Sequence, residues 1–415
     1  MNRRTALRRM TALSGAIVVA GCAAPSGERN ESDDGETGTE GDESVTGTSA
    51  IPRIDDPPQA VYLPGHRKSM RVLEPIDAGD YRLAPMLTYP HPFWIVTGAE
   101  RQLVEPEAGR GVHLMCTVWD SETGTVVPVD IGPRVTLERT DGGDEWRRTL
   151  SPWPMLSQEM GVHFGDNVAL PADGTYAATV ELPPVGTRRT GSFENRFTDR
   201  ATATFEFTYD EAFREAVVDG VELLVRERWG KRGALEAMLG QEGRAAGDGS
   251  DGDGNPAARI PYSALPPAAD YPGTRLVEPS VAADAGSADG LPTSGDAAFV
   301  VTLLEPGSRL ADSDDRYLLV SPRTPYNRVP LANTSLRAVV SHEGSTVANR
   351  GLEATLDGEL GFHYGLSLAD VRAGDSVRIV VESPPQTARH QGYETAFFEM
   401  EPLELAVPDD IDEGR

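Results

Sequence analysis

A chain of 415 residues with 65 acidic and 38 basic side chains carries a formal net charge of −27 and contains just two lysines, Lys68 and Lys231. Such a surface repels nucleic acid and anionic lipid, so neither is expected as a partner. The same balance suits a protein kept soluble in high salt, where repulsion is screened within about 3 Å at 1 M, so acidity alone argues little for cation capture.

Residues 1–21 read as an export signal: "MNRRTALRRM" is a basic start, "TALSGAIVVA" a short apolar run, and "VAGC" closes it with small residues before Cys22. The apolar run is too short to span a bilayer. The paired arginines Arg3 and Arg4 resemble a twin-arginine signal, and "VAGC" resembles a lipobox, which makes Cys22 the expected lipidation site and gives the mature chain a lipid anchor on the outer face of the cell membrane. The other cysteine is Cys116, so no disulfide to a lipidated Cys22 is expected and hydrophobic cores must hold the fold. Residues 22–55 are acidic and poor in large apolar groups, which predicts a disordered tether.

From 56 to 208 the pattern has period two. "GVHLMCTVWD" puts Val112, Leu114, Cys116 and Val118 on one face and His113, Met115, Thr117 and Trp119 on the other. "GTYAATVEL" and "ATATFEFTY" alternate likewise between Pro and Gly turns, the pattern of a small β-sandwich. Residues 209–240 break it, with Phe213, Val217, Val221 and Leu224 at helical spacing after an Asp210 cap. Residues 241–295, with "GDGSDGDGNP", read as a disordered linker; "DGSDGDGN" lacks the twelfth-position glutamate of a calcium loop. Residues 296–408 read as a second, diverged sandwich and 409–415 as an acidic tail. The fold class is therefore all-β, two immunoglobulin-like β-sandwich copies joined by an amphipathic helix and a flexible linker.

Internal repetition underlies that division. "EMGVHFGDNVALPADGTYAATVELPPVGTRRTGSF" (159–193) is answered by "ELGFHYGLSLADVRAGDSVRIVVESPPQTARHQGY" (359–393), which sets His163 opposite His363 and Arg189 opposite His390. The second copy has "YLLVSPRT" for "HLMCTVWD" and no methionine opposite Met155. The sulfur and histidine set thus belongs to the first copy.

That set has a recognisable order: a strand with His113, then Pro154-Met155, then "GVHFGDN" with His163 in a turn between Gly161 and Gly165. Over residues 60–208 it resembles the periplasmic iron-transport family of copper- and iron-binding, immunoglobulin-like lipoproteins, whose pattern is His-Leu-Glu, Pro-Met, Gly-Pro-His-Tyr-Gly-Asp-Asn. The resemblance implies that His113, Met155 and His163 are metal ligands, that the bound ion is copper and/or iron, and that the partner is an iron permease in the membrane. Met115 stands where the family has glutamate, and His with thioether favours copper over harder ions. The resemblance also implies a fourth ligand, a histidine from a neighbouring subunit; the first copy reads "TRRTG" there and the second "TARHQG", so His390 is expected to complete the site across an intrachain pseudo-dimer.

In a strand, His113 and Met115 point the same way about 7 Å apart, onto a face that is either polar and exposed or covered by the helix or the second domain. Asp166 and Asn167 read as turn caps or acceptors behind the ligands, and Met160, opposite Leu360, as core. His66 and Met70 in "YLPGHRKSM" suggest an access path or a second soft site. His91 in "YPHPFW" reads as part of an aromatic packing corner.

An enzyme is not expected: no Gly-x-Ser-x-Gly, His-Glu-x-x-His or Cys/His pair is present. Cys116 faces away from His113, which argues against a blue-copper centre. The expected function is surface-anchored capture of iron or copper outside the membrane for uptake. Its alternative is a structural cell-surface β-sandwich with incidental His and Met.

Overall fold

The alternating segments build strands, and the strands two sandwiches, in a computed structural model that describes residues 53–107, 109–128, 131–142, 145–240, 256–278 and 290–411. The predicted signal, Cys22 and most of the tether lie outside the described residues. Those that shape the site are β1 (Tyr81–Thr88), β2 (Phe93–Thr97), β3 (Gly111–Asp120), β4 (Trp153–Ser157), β5 (Gly161–Ala169), β6 (Arg188–Thr190), β7 (Arg316–Arg323), β8 (Glu353–Asp357), β9 (Gly361–Leu368) and β10 (Ala388–Arg389). The all-β class stands.

In the first lobe β1, β3, β5 and β4 are consecutive neighbours of one sheet, and a second sheet, containing Arg134–Arg139, Gly174–Leu182 and Ala201–Tyr209, faces it. Leu114, Cys116, Val162 and Phe164 fill the space between with Val135, Tyr176, Val180 and Phe207. Each such side chain contributes about 1.5–3 kcal/mol by leaving water. The second lobe repeats this with β8, β9, β7 and Ala297–Leu304 against Ser335–His342, Ser376–Ser383 and Leu403–Ala406.

The lobes exchange strands. β10, from the second copy, runs parallel to β4 of the first, with Met155 beside Ala388 and Leu156 beside Arg389. Reciprocally, β6 runs parallel to β8, with Arg188 beside Thr355 and Arg189 beside Leu356. One register thus corrects the sequence alignment: Arg189 corresponds to Arg389, and Thr190, not Arg189, to His390. Both arginines tuck inward to cap carbonyls, Arg189 that of Val185 and Arg389 those of Ala396 and Pro385, which anchors each exchanged segment.

Three further expectations change. The helix, α1, spans Glu211–Asp219, capped by Asp210 accepting from the Phe213 N–H, and stops at Gly220. Beyond it Glu222–Leu223 pairs with His66–Arg67, and tertiary strand pairing overrides the helical spacing of Val221 and Leu224. The segment expected as linker is packed where described: Ile260, Leu265, Tyr271 and Leu276 are buried, and Thr274–Arg275 pairs with Ala297–Leu304. Of the acidic tail, Ile411 is buried. Among the described residues no helix is long and apolar enough to cross a membrane.

Candidate metal centre

Strand geometry gathers the predicted donors without any loop. The stretch from Pro152 to Asn167, expected to be turn-rich, is the β4–β5 hairpin, in which Met155 pairs directly with His163. On β5's other edge, Gly165 pairs with Met115 and Asn167 with His113 of β3. Side chains two apart on a strand share a face, so His163, Gly165 and Asn167 stand in a row, with Met155 on one side and Met115 and His113 on the other. The core takes the opposite face through Val162 and Phe164.

This outer face is not exposed, contrary to the first of the two options above. His113, His163 and Met155 have no exposed surface and Met115 has 1%. The cover comes from elsewhere in the chain: Leu239, Ala257 and Ile260 pack on Met115, Met86 and the expected core residue Met160, and the segment after β10 lays His390 over the hairpin, its N–H bonded to the Leu156 carbonyl.

Gly165 is the middle of the cradle. A Cβ there would stand 3.2 Å from His113 Nε2, 3.2 Å from Met155 Sδ and 3.1 Å from Met115 Cγ. The glycine therefore leaves room where an imidazole nitrogen and a thioether sulfur converge. The repeat supplies a natural control. In the second lobe Tyr317 stands where His113 does, across from Ser367, and a Cβ on Gly365 would meet the Tyr317 hydroxyl at 1.8 Å. His363 keeps the place of His163, with its Nδ1 3.2 Å from the Gly361 carbonyl and its Nε2 3.4 Å from that hydroxyl. A phenol fills the second cradle that histidine and methionine leave open in the first.

Backbone and amide partners orient the imidazoles. His163 Nδ1 donates to the Gly161 carbonyl (3.2 Å). The Asn167 amide donates to the His91 carbonyl (2.9 Å) and so presents its Oδ1 to His113 Nδ1 (2.9 Å), a role behind the ligands that the sequence reading allowed. With both Nδ1 protons engaged, each Nε2 carries a lone pair. That of His113 is buried and has no hydrogen-bond partner. That of His163 lies 3.1 Å from His390 Nε2, whose Nδ1 meets Lys68 Nζ at 3.0 Å. Lys68 donates to His390 Nδ1, so His390 Nε2–H donates to His163.

Burial dominates the electrostatics. It drives His113 and His163 down to about 3, and His390 well below the ordinary histidine range, with Lys68 adding to the effect. All three are therefore neutral donors at physiological pH. Burial also lowers Lys68 to about 7 and raises Glu159 to about 7, and pushes the Cys116 thiol up to about 12, which fits an inert core thiol.

Among the described residues no group of three or more His, Cys, Asp or Glu is arranged to hold an ion. Here one donor is a thioether, and two imidazoles face each other across a proton that an ion has to displace. Nitrogens bound to one ion at about 2 Å each stand about 3 Å apart, so the His163–His390 spacing and the open Gly165 cradle fit a shared ion.

Of the sequence candidates, His113, Met155, His163 and His390 come together, and Met115 closes one side. His66 and Met70 do not reach these donors but line a cavity of about 30 Å³ beside them with Lys68, His91 and His390, room for one or two waters. Two participants escaped the sequence reading. His91, read as packing, lies against His113, with ring centroids 4.2 Å apart. Lys68 carried an available signal: it is one of two lysines in a chain that otherwise avoids them.

No curated protein matches the chain. A family model described as a domain of unknown function (DUF7350) matches residues 269–406, about a third of its length. Solved structures similar in part are a copper-bound glutamate-to-glutamine variant of FetP from uropathogenic Escherichia coli strain F11, at 19% identity, 34% of this chain, 97% of that chain and TM-score 0.26, and a copper-bound glutamate-to-glutamine variant of P19 from Campylobacter jejuni, at 14% identity, 34%, 98% and 0.26. At this identity and TM-score the likeness says nothing about what the present chain binds.

Proposed function

We propose that the chain is an extracytoplasmic metal-capture protein that takes one soft ion, copper before iron, as cargo between His113, Met155, His163 and His390. The observation that carries this reading is the open cradle at Gly165, with a buried, unpartnered imidazole nitrogen and a thioether sulfur each 3.2 Å from the same point. A purely structural sandwich has no reason to leave a buried polar atom unsatisfied, which costs about 1–3 kcal/mol. The donor chemistry supports copper: three imidazoles and a thioether, with methionine at position 115 rather than a carboxylate. The ion replaces the proton between His163 and His390, so loading releases a proton. Delivery to a membrane permease, and tethering through Cys22, belong to the same proposal and rest on the sequence resemblance.

The test is titration of the chain with Cu(II), Mn(II), Fe(II) and Zn(II), alongside Met155→Leu and His163→Ala. One equivalent of copper is expected to bind the parent, and each variant to lose about tenfold or more in affinity. No stoichiometric binding, or variants equal to the parent, would leave the structural sandwich as the better reading.

A further inference from the structure

We propose that His91 is a further ligand: with His113 and His390 it forms an all-imidazole position on the outer side of the thioether position, through which the ion passes on its way in. This rests on the metal-binding reading above. The ring centroids of His91, His113 and His390 form a triangle with sides of 4.2, 5.0 and 5.6 Å. His91 is 4% exposed, and its Nε2, like that of His113, is buried with no hydrogen-bond partner. A packing histidine normally satisfies both ring nitrogens.

The surroundings set His91 up as a donor. Its Nδ1 lies 3.1 Å from the Pro92 carbonyl, which only accepts, so the proton is on Nδ1 and the lone pair on Nε2. Its backbone is clamped at both ends by Asn167, whose Oδ1 accepts from the His91 N–H at 3.3 Å and whose Nδ2 donates to the His91 carbonyl. One asparagine thereby holds two ligands, His91 through its backbone and His113 through its ring. Lys68 Nζ approaches His91 and His390 at their Nδ1 atoms, 3.4 and 3.0 Å away, and leaves both Nε2 atoms to the ion.

Position assigns the order of passage. His91 lines the inner cavity with Met115 and His390, and it also lines an outer groove of about 340 Å³ with Trp94 and Glu105. It belongs to both spaces, whereas Met155 and His163 border neither. An ion arriving from the groove meets nitrogen first and sulfur second, the order that suits uptake of Cu(II), which imidazole accommodates, into a site where thioether favours Cu(I).

The experiment uses the full chain and Cu(II). Met155→Leu is expected to keep a Cu(II) electron paramagnetic resonance signal with nitrogen coupling only, and the double variant Met155→Leu with His91→Asn to lose at least about 100-fold in Cu(II) affinity relative to it. His91→Asn alone is expected to slow Cu(II) loading in stopped-flow by about tenfold. His91→Phe, which keeps the ring packing, repeats the measurement should the asparagine lower the melting temperature. Equal Cu(II) binding with and without His91 in the Met155→Leu background, together with parental loading rates, overturns the proposal. A parent that binds no Cu(II) overturns the metal-capture reading itself, an outcome distinct from an indifferent His91.

Discussion

Replacing Gly165 by valine fills the cradle without removing a single donor. The valine Cβ would stand 3.2 Å from both His113 Nε2 and Met155 Sδ, inside the ordinary contact distance of about 3.5–4.0 Å, and its two methyls extend further into the space between them. An ion bonded to both atoms at about 2.0–2.3 Å cannot share that volume. Strain in the metal-free protein from overpacking is expected at about 1–3 kcal/mol, while copper affinity falls by at least about 100-fold, equivalent to about 2.7 kcal/mol. Gly165→Ala, which adds the Cβ alone, should lie between. The assay is competition titration with Cu(II), read beside thermal unfolding of each metal-free variant; parental protein at a copper excess of about 100 times the dissociation constant should gain about 2.7 kcal/mol of stability and Gly165→Val almost none. Parental copper affinity in a folded Gly165→Val would refute the placement of the ion at this cradle.

His390→Ala should weaken copper binding by about tenfold or more with little change in unfolding, since the segment is held by Arg389 and the β10 pairing rather than by the ring; chelator competition reads it. The pH dependence has a defined sign. His113 and His163 are held near 3 by burial whereas the unfolded chain titrates near 6.5, so between those values the unfolded state binds protons the folded state does not. Their contribution to stability is present above about 6.5 and is lost as pH falls toward 3, by about 1.4 kcal/mol per pH unit per group; urea unfolding at stepped pH should show a shallower slope for His163→Asn than for the parent. In the second lobe, Tyr317→Ala should cost about 3–5 kcal/mol by opening the filled cradle and leave copper stoichiometry unchanged, measured by unfolding and titration together.

The fold class and the heart of the centre were legible because both depend on local period. Alternation in "GVHLMCTVWD" separates Leu114 and Cys116 from His113 and Met115 whatever the strand packs against, and the ordered spacing of His113, Met155 and His163 points to one sheet face. The repeat made His390 a candidate, since ligands kept in one copy and a histidine kept in the other imply an exchange. Other features depended on partners distant in the chain. Whether the His113 face was open or covered is settled by Ala257, Ile260 and His390, more than 140 residues away. The end of α1 follows from a strand partner at His66–Arg67, and the order of the expected linker from apolar anchors such as Ile260 and Tyr271 scattered among prolines.

His91 marks the limit most clearly. In sequence it sits between prolines and aromatics and reads as packing; only the tertiary structure brings its unpartnered Nε2 beside His113 and His390, because Asn167, 76 residues on, grips its backbone from both sides. The sequence by itself determined which side chains share a strand face, since that is a property of consecutive residues. The exchange of β6 and β10 between lobes decided which faces meet, and hence that one cradle is lined by sulfur and imidazole while its twin is filled by a phenol.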